Sequence, residues 1–190
     1  MHKDLRIPES THLTDPGPGA PMTSATLGTH LAHMCWESLG SFLESDVAAD
    51  LLDAAGARPN QPQTGERVGE ELLIFHLWIH ARALRDAFRS RSDDPCLRTA
   101  LKAFHSAGYA DVVEQGIPKA ELPILEERVS QRYIEYHRAR ERSEEAVVRA
   151  LLGHLGIPSD EADVRVEGMV THLREVTDPL LDFLVDLEVH

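Results

Sequence analysis

The sequence predicts an all-α fold, a single-domain helical bundle of six or seven helices. Apolar residues recur at the three- and four-residue spacing of helices through most of the chain. No segment shows the sustained alternation of a strand bounded by hairpin turns. Capping residues, prolines and glycines fall between the periodic segments, where helices begin and end. We expect one all-helical domain over residues 22–190, since this length buries a core without disulfides or metals.

The N-terminal residues 1–21 interrupt this helical pattern. They contain four prolines, Pro8, Pro16, Pro18 and Pro21, with two glycines among them. Proline lacks the backbone N–H that a helix interior needs, and the segment has no periodic apolar residues. We therefore predict a flexible N-terminal tail outside the core.

The first two helices are predicted over about 23–44 and 46–55. The first carries an apolar face that includes Leu31, Cys35, Leu39 and Phe42. Gly56 is expected to end the second helix, because glycine adopts the left-handed conformation that terminates helices. A polar loop is predicted over 57–65.

The third helix, over about 66–90, is apolar around most of its circumference. Its residues from Leu72 to His80 are Leu-Leu-Ile-Phe-His-Leu-Trp-Ile-His, and a narrow polar edge is expected to face water. That edge consists of Glu71, Arg82, Arg85 and Asp86. A helix that is apolar nearly all round is typical of the centre of a bundle.

Four further helices are predicted after the central one. Asp94 and Pro95 begin the fourth, which Gly116 ends. The fifth is expected to be the longest, over about 120–153, and to pack along the central helix. Ser159 is expected to cap the sixth helix, and Asp178-Pro179 to restart the chain into a seventh.

The middle of the predicted long helix is unusual because residues 137–145 are charged on nearly every side. Arg140 nevertheless falls on the axis of the apolar stripe. The favoured interpretation is that the helix extends beyond the core at this point, since an unpaired buried cation is costly. The alternative is that Arg140 meets an acidic side chain or binds an anion, which makes it a candidate ligand-binding residue.

His76 and His80 are the other candidate ligand-binding residues. They lie four positions apart, so both imidazoles project from one face of the central helix and are expected to be buried. The favoured interpretation is structural, with hydrogen bonds to neighbouring helices and Tyr133 or Tyr136 as the partners. The alternative is a transition-metal site, because this spacing suits paired ligands. No cofactor and no metal ligand is predicted on the favoured interpretation.

Composition narrows the partners that we expect. The formal net charge is −13, which disfavours nucleic acid because its phosphates would be repelled. The longest apolar run is too short to span a bilayer, so no membrane partner is expected. The two cysteines, Cys35 and Cys96, indicate buried thiols in a reducing compartment. With no secretory signal visible, a cytoplasmic location is predicted.

No motif in the sequence indicates a particular reaction. The chain contains no Gly-x-Ser-x-Gly elbow, no Cys-x-x-Cys pair, no Walker loop and no dinucleotide-binding fingerprint. The favoured function is therefore a non-catalytic helical interaction or accessory protein. The alternative is a metal- or small-ligand-binding bundle, or an enzyme, that uses His76 and His80. The expected partner is another protein or a second copy of this chain, and apolar surface at Trp36 and Trp78 favours a homodimer.

Overall fold

The computed structural model describes residues 22–58, 60–89, 94–185 and 187, and the predicted tail 1–21 lies outside them. Within the described residues the chain forms seven α-helices and no strand. The helices are α1 (Ser24–Leu43), α2 (Asp46–Ala54), α3 (Pro62–Ala87), α4 (Pro95–Glu114), α5 (Leu122–Arg140), α6 (Glu144–His154) and α7 (Ser159–Val185). The predicted all-α bundle is confirmed.

Local capping explains where several of these helices begin. The Thr23 side chain accepts a hydrogen bond from the backbone N–H of Thr26 at the start of α1. Asp94 accepts from the N–H of Cys96, and Pro95 occupies the first turn of α4, as predicted. The predicted loop 57–65 is too long, because α3 already begins at Pro62, whose fixed φ suits a first helical position.

The α3 helix lies at the centre of the bundle, as its sequence predicts. It contacts α1, α4, α5, α6 and α7. Every residue from 71 to 81 is buried, including the large aromatic side chains Phe75 and Trp78. Burial on all sides removes apolar surface from water around the whole helix, which stabilises this arrangement.

The α1 helix packs closely against α4, and Gly28 permits the approach. A Cβ atom at Gly28 would lie 2.2 Å from the Ala100 carbonyl oxygen and 2.7 Å from the backbone nitrogen of Phe104. Both are backbone atoms of α4, so no side-chain rearrangement would relieve the overlap. The absence of a side chain at Gly28 therefore sets the distance between the two helices.

The predicted long helix over 120–153 is wrong, because α5 ends at Arg140 and α6 begins at Glu144. Ser143 has an extended backbone, and its hydroxyl accepts a hydrogen bond from the N–H of Ala146. Glu144 and Glu145 occupy the first turn of α6, where negative charge interacts favourably with the helix dipole. The charged segment is thus a helix boundary, and the favoured idea that one helix extends past the core is also wrong.

The predicted break at Asp178-Pro179 is wrong too, because α7 continues through Pro179 to Val185. Proline removes one backbone hydrogen bond inside a helix. Beyond it, Leu180 and Leu184 remain buried, as Leu173 is before it, so core packing continues past the proline. Tertiary burial outweighs the local cost at this position.

The tryptophans do not provide the uncovered apolar surface that was predicted. Trp36 is 5 % exposed and Trp78 is 4 % exposed, so both belong to the core. The homodimer therefore loses the feature from which it was predicted, and it stays a prediction. None of the described helices combines the length and the apolarity that crossing a membrane requires.

The two cysteines differ in burial. Cys35 is buried in α1, as predicted, whereas Cys96 in the first turn of α4 is only partly buried. Both thiols are free. Burial raises the pKa of Cys35 far above its ordinary value, so this thiol stays protonated and unreactive.

Candidate functional site

The predicted polar edge of α3 faces α5 more than water. Glu71 is buried, while Arg82 and Asp86 are partly buried and Arg85 is exposed. The expectation that this edge is wet is therefore wrong for Glu71. The physical reason is that arginines from α5 neutralise acidic side chains of α3 across the helix interface.

The first of these contacts is the Glu71 pair, formed by Glu71 and Arg132. Arg132 Nε donates to Glu71 Oε2 at 2.9 Å, and its Nη2 donates to Oε1 at 2.8 Å. The Glu71 side chain is 4 % exposed. A bidentate arginine–carboxylate pair of this kind satisfies both groups and fixes their orientation. The two charges of the pair balance each other.

The second contact joins Arg140 to Asp86. Arg140 Nη1 donates to Asp86 Oδ1 at 3.1 Å, and Nη2 donates to Oδ2 at 2.7 Å. The alternative interpretation of Arg140, that it meets an acidic side chain, is thus the one that the structure supports. Arg140 is the last residue of α5, so the helix end places its guanidinium beside α3.

A small cavity lies beside this second contact, with a volume of about 90 Å³. We call it the arginine pocket, and it is lined by Trp78, Ala81, Arg82, Arg85, Asp86, Tyr133, His137 and Arg140. Three of the lining side chains are arginines, and one is a carboxylate. The pocket therefore concentrates positive charge in a protein whose net charge is −13.

Arg82 is incompletely paired in this pocket. Its Nε lies 3.4 Å from Asp86 Oδ2, and its Nη2 lies 3.7 Å from Glu144 Oε1. Its Nη1 is buried and has no hydrogen-bond partner among the described residues. The side chain is only 10 % exposed, and its guanidinium carbon lies 5.4 Å from the Trp78 ring centroid. A buried charged donor without an acceptor is unfavourable, so this atom is suited to an anionic partner.

The electrostatics of Arg82 agree with this geometry. Burial lowers the pKa of Arg82, and the positive charge of Arg140 lowers it further, while Asp86 and Glu144 act in the opposite direction. Removal from water and a like charge both disfavour the protonated form. A bound anion would oppose both effects, because it supplies a negative charge and hydrogen-bond acceptors.

Tyr133 forms one wall of the pocket, and His105 lies in the layer behind it. His105 Nδ1 lies 2.8 Å from the Leu101 carbonyl oxygen and must donate to it, which leaves Nε2 as an acceptor in the neutral ring. The Tyr133 hydroxyl, 3.1 Å from that Nε2, is therefore the donor. Burial lowers the pKa of His105, and nearby Arg85 lowers it further. The hydrogen bond fixes the orientation of the Tyr133 ring at the pocket.

His76 and His80 are buried, as predicted, but their predicted tyrosine partners are wrong. His76 Nδ1 donates to the Leu72 carbonyl at 2.9 Å, and His80 Nδ1 donates to the His76 carbonyl at 2.9 Å. Each ring thus reaches the carbonyl four residues earlier in its own helix. The tyrosine contact of this kind belongs to His105 instead.

The free nitrogen of His76 meets a histidine that was not predicted, His172 of α7. The two Nε2 atoms lie 3.1 Å apart, and since His76 already donates through Nδ1, His172 must be the donor. Phe42 covers both rings, with centroid distances of 5.4 Å to His76 and 4.2 Å to His172. We call these three residues the histidine core.

Burial determines the charge state of these histidines. It lowers the pKa of His76 to about 3, with the neighbouring His172 adding to the effect. Burial also lowers the pKa of His80 and of His172 to about 4. All three rings are therefore neutral near pH 7, which is the form that the hydrogen bonds require.

The two predicted histidines do not converge on one site. His76 directs Nε2 towards α7, whereas the His80 ring stacks on Phe104 of α4 at a centroid distance of 6.5 Å. Across the part of the chain that the structure describes, no group of three or more His, Cys, Asp or Glu side chains could hold a metal ion. Each imidazole instead belongs to a different helix–helix contact.

Sequence reasoning missed most of the pocket. It identified Arg140, but placed Arg82, Arg85 and Asp86 at a solvent-facing edge. The available signal was that two helices each carry charge where they pack together, α3 at Asp86 and α5 at Arg140. Pairing an acidic residue on one helix with a basic residue on the other would have predicted the contact between Asp86 and Arg140.

Comparison with known proteins found no matching family model, no matching curated protein and no matching solved structure. The interpretation of the arginine pocket therefore depends on its geometry and charge.

Proposed function

We propose that this chain is a non-catalytic helical binding protein whose arginine pocket holds a small anion. The observation that carries the proposal is the buried Nη1 of Arg82, a side chain that lines a cavity, since this donor lacks an acceptor among the described residues. Guanidinium groups recognise carboxylates and phosphates through pairs of N–H donors, so an anion is the ligand that completes this arrangement.

The surrounding charges support the same proposal. Arg82 and Arg140 both contact Asp86, and Arg82 also lies 3.7 Å from Glu144, so these two cations meet two carboxylates. Arg85 lines the pocket and makes no ion pair with any described residue. A binding function explains why the pocket presents a guanidinium group, that of Arg85, without a carboxylate partner in the described part of the chain.

The ligand site that we propose is thus the arginine pocket and not the histidine pair. His76 and His80 have structural hydrogen bonds and are almost completely buried. The pocket, in contrast, provides space beside Arg82, a side chain with an unsatisfied donor. A site at the histidine pair and a site at the arginine pocket would both bind a small ligand. Only the arginine pocket combines space with a side chain that has an unsatisfied donor.

Thermal unfolding of the full chain tests the proposal. Sodium phosphate, sodium sulfate and sodium benzoate are added to the protein and compared with sodium chloride at the same ionic strength, which controls for screening. A bound anion stabilises the folded state, so at least one of the three is expected to raise Tm above the chloride value.

Two variants make this experiment specific to the pocket, because sulfate and phosphate also stabilise proteins by exclusion from their surface. Arg82→Met is expected to abolish the part of the Tm rise that binding contributes. The control is Arg149→Met, which removes an arginine that is paired with Asp163 outside the pocket. That variant is expected to respond like the wild type. A wild type that no anion stabilises, or an Arg82→Met variant that responds fully, would contradict the proposal.

A further inference from the structure

The arginine pocket also restricts the kind of anion that it accepts. Its charged groups and its aromatic groups lie on the same cavity, and each restricts the ligand differently. The balance of charged side chains limits the charge of the ligand's anionic group, which we call its head group. The aromatic side chains that line the pocket, Trp78 and Tyr133, form an aromatic wall and indicate which chemical group the head group should carry. This inference rests on the proposed function.

The charge balance favours a singly charged ligand. Three guanidinium groups line the pocket, those of Arg82, Arg85 and Arg140. Two carboxylates lie against them, Asp86 in the pocket wall and Glu144 at 3.7 Å from Arg82 Nη2. The excess is one positive charge. A monoanion neutralises it, whereas a phosphate dianion would leave an excess negative charge beside two partly buried carboxylates.

One further arginine contacts Glu144 from outside the pocket. Arg174 Nε donates to Glu144 Oε2 at 2.8 Å, but the Arg174 side chain is 61 % exposed. Arg174 does not line the pocket, so its charge lies outside this balance. The balance inside the pocket is therefore set by the five groups that line it or contact Arg82.

The geometry at Asp86 shows that a carboxylate fits between these arginines. The Asp86 carboxylate already occupies the fork of Arg140 at 3.1 and 2.7 Å and accepts from Arg82 Nε at 3.4 Å. Planar guanidinium and carboxylate groups match each other in this way. A second carboxylate would use the donors that remain, Nη1 of Arg82 and the guanidinium of Arg85.

The aromatic wall lies next to these free donors. The Trp78 ring centroid is 5.4 Å from the Arg82 guanidinium carbon, and Ala81 and Tyr133 line the same cavity. Apolar lining of this kind gains free energy when it covers an apolar ligand group, and ring-to-ring contacts add to that gain. Trp78 and Ala81 are only 4 % and 2 % exposed, so a ligand ring would contact this wall mainly at the partly buried Tyr133.

We propose that the ligand is a small aromatic monocarboxylate, bound with its carboxylate at Arg82 and Arg85 and its ring against Trp78 and Tyr133. The head group supplies the missing acceptor of Arg82. The ring supplies apolar contact that acetate lacks. Affinity thus depends on the carboxylate and the ring together.

Isothermal titration of the full chain with four probes tests this proposal. Benzoate carries both features, acetate has only the carboxylate, benzamide has only the ring, and phosphate has a tetrahedral head. Benzoate is expected to bind at least tenfold more tightly than each of the other three. Trp78 fluorescence in a Trp36→Phe variant gives a second readout, because the chain has two tryptophans and Trp78 is then the single indole. Its emission should change with benzoate.

The outcomes of the titrations separate this inference from the proposed function. If phosphate or acetate binds as tightly as benzoate, the proposal of an aromatic monocarboxylate is wrong, but the proposal of an anion-binding pocket is still supported. If benzamide equals benzoate, the carboxylate has no role and both proposals fail. If none of the anions binds, the proposed function itself is wrong.

A variant at Arg85 tests the placement of the head group. Arg85 is exposed and makes no ion pair with any described residue, so Arg85→Gln should fold like the wild type. This variant is expected to weaken benzoate binding at least fivefold. An unchanged affinity would overturn the placement of the carboxylate at Arg85.

Discussion

Two bidentate arginine–carboxylate contacts join α3 to α5, and they differ in a way that separates structure from function. Glu71 and Arg132 form a pair in which each charge has its partner, and Glu71 is almost completely buried. Asp86 and Arg140 form a similar pair about four helical turns further along α3. At this second pair Arg82 and Arg85 add positive charge, and a cavity lies alongside.

The difference shows what each contact is suited to do. A balanced buried pair holds two helices in register and leaves no group for a ligand. An unbalanced pair beside a cavity leaves donors unsatisfied in the absence of a ligand, which costs stability. Such a local cost is typical of binding sites, where stability is lost in exchange for function. The Glu71 pair is therefore the structural reference for the arginine pocket.

Removing the carboxylate charge from each contact should have unequal consequences for stability. Glu71→Gln should lower the free energy of unfolding by about 2–3 kcal/mol, since Arg132 then loses its bidentate counter-charge at a buried position. Asp86→Asn should cost less, about 1 kcal/mol, because Glu144 remains close to Arg82 and Arg140 is partly exposed. Urea unfolding at one pH and one ionic strength measures both values. A larger loss for Asp86→Asn would reverse the assignment of the two contacts.

Added anion should distinguish the two contacts further. Benzoate should stabilise Asp86→Asn more than it stabilises the wild type, because the pocket can place a carboxylate near the aspartate charge that was removed. Glu71 does not line the arginine pocket, so benzoate should stabilise Glu71→Gln by the same amount as the wild type. Urea unfolding of the three proteins with and without benzoate measures these gains in stability. An equal gain in all three proteins would show that bound benzoate does not lie near the position of the Asp86 charge.

The histidine core on another side of α3 provides a control in which pH sets stability. The pKa values of His76, at about 3, and of His172, at about 4, lie below the ordinary value of 6.5. The unfolded chain therefore binds more protons than the folded protein as the pH falls below 6.5. The contribution of these rings is fully present above this value and is lost progressively as the pH falls towards their folded-state pKa values.

The expected loss between pH 8 and pH 6 is about 1 kcal/mol for a completely buried histidine such as His76, and less for the partly exposed His172. His172→Gln should reduce this pH dependence, because the amide can still donate to His76 Nε2 but cannot titrate in this range. Urea unfolding of the wild type and the variant at the two pH values measures the difference. If both proteins lose the same stability, His172 is not part of the acid response.

The fold was predictable wherever local signals agreed with packing. Asp94 and Pro95 mark the start of α4 by capping and fixed φ, and the apolar circumference of α3 correctly predicts its central position. Ser143 was missed as a helix boundary because it lies among arginines and glutamates, which are good helix formers. The helix break predicted at Pro179 is wrong because proline acts on the local backbone alone. Burial of Leu180, the next residue, depends on the tertiary structure.

The candidate site was less predictable for a related reason. Burial of His76 and His80 follows from one helix alone, and the sequence predicts it correctly. The contact of Arg140 with Asp86 joins residues 54 positions apart, so no single helix reveals it. The cavity depends in addition on the break between α5 and α6, which places Arg140 at a helix end and Glu144 beside Arg82.

If Arg82 serves a ligand while Arg132 serves the fold, removing the two arginines must affect stability differently. Urea unfolding of Arg82→Met and Arg132→Met, without added phosphate, sulfate or carboxylate, measures this difference. Arg132→Met leaves Glu71 buried without its counter-charge and should cost about 3 kcal/mol. Arg82→Met removes an incompletely paired buried cation, so its stability should stay within about 1 kcal/mol of the wild type. A loss at Arg82 as large as that at Arg132 would contradict this division of roles, because it would show that Arg82 is needed for folding.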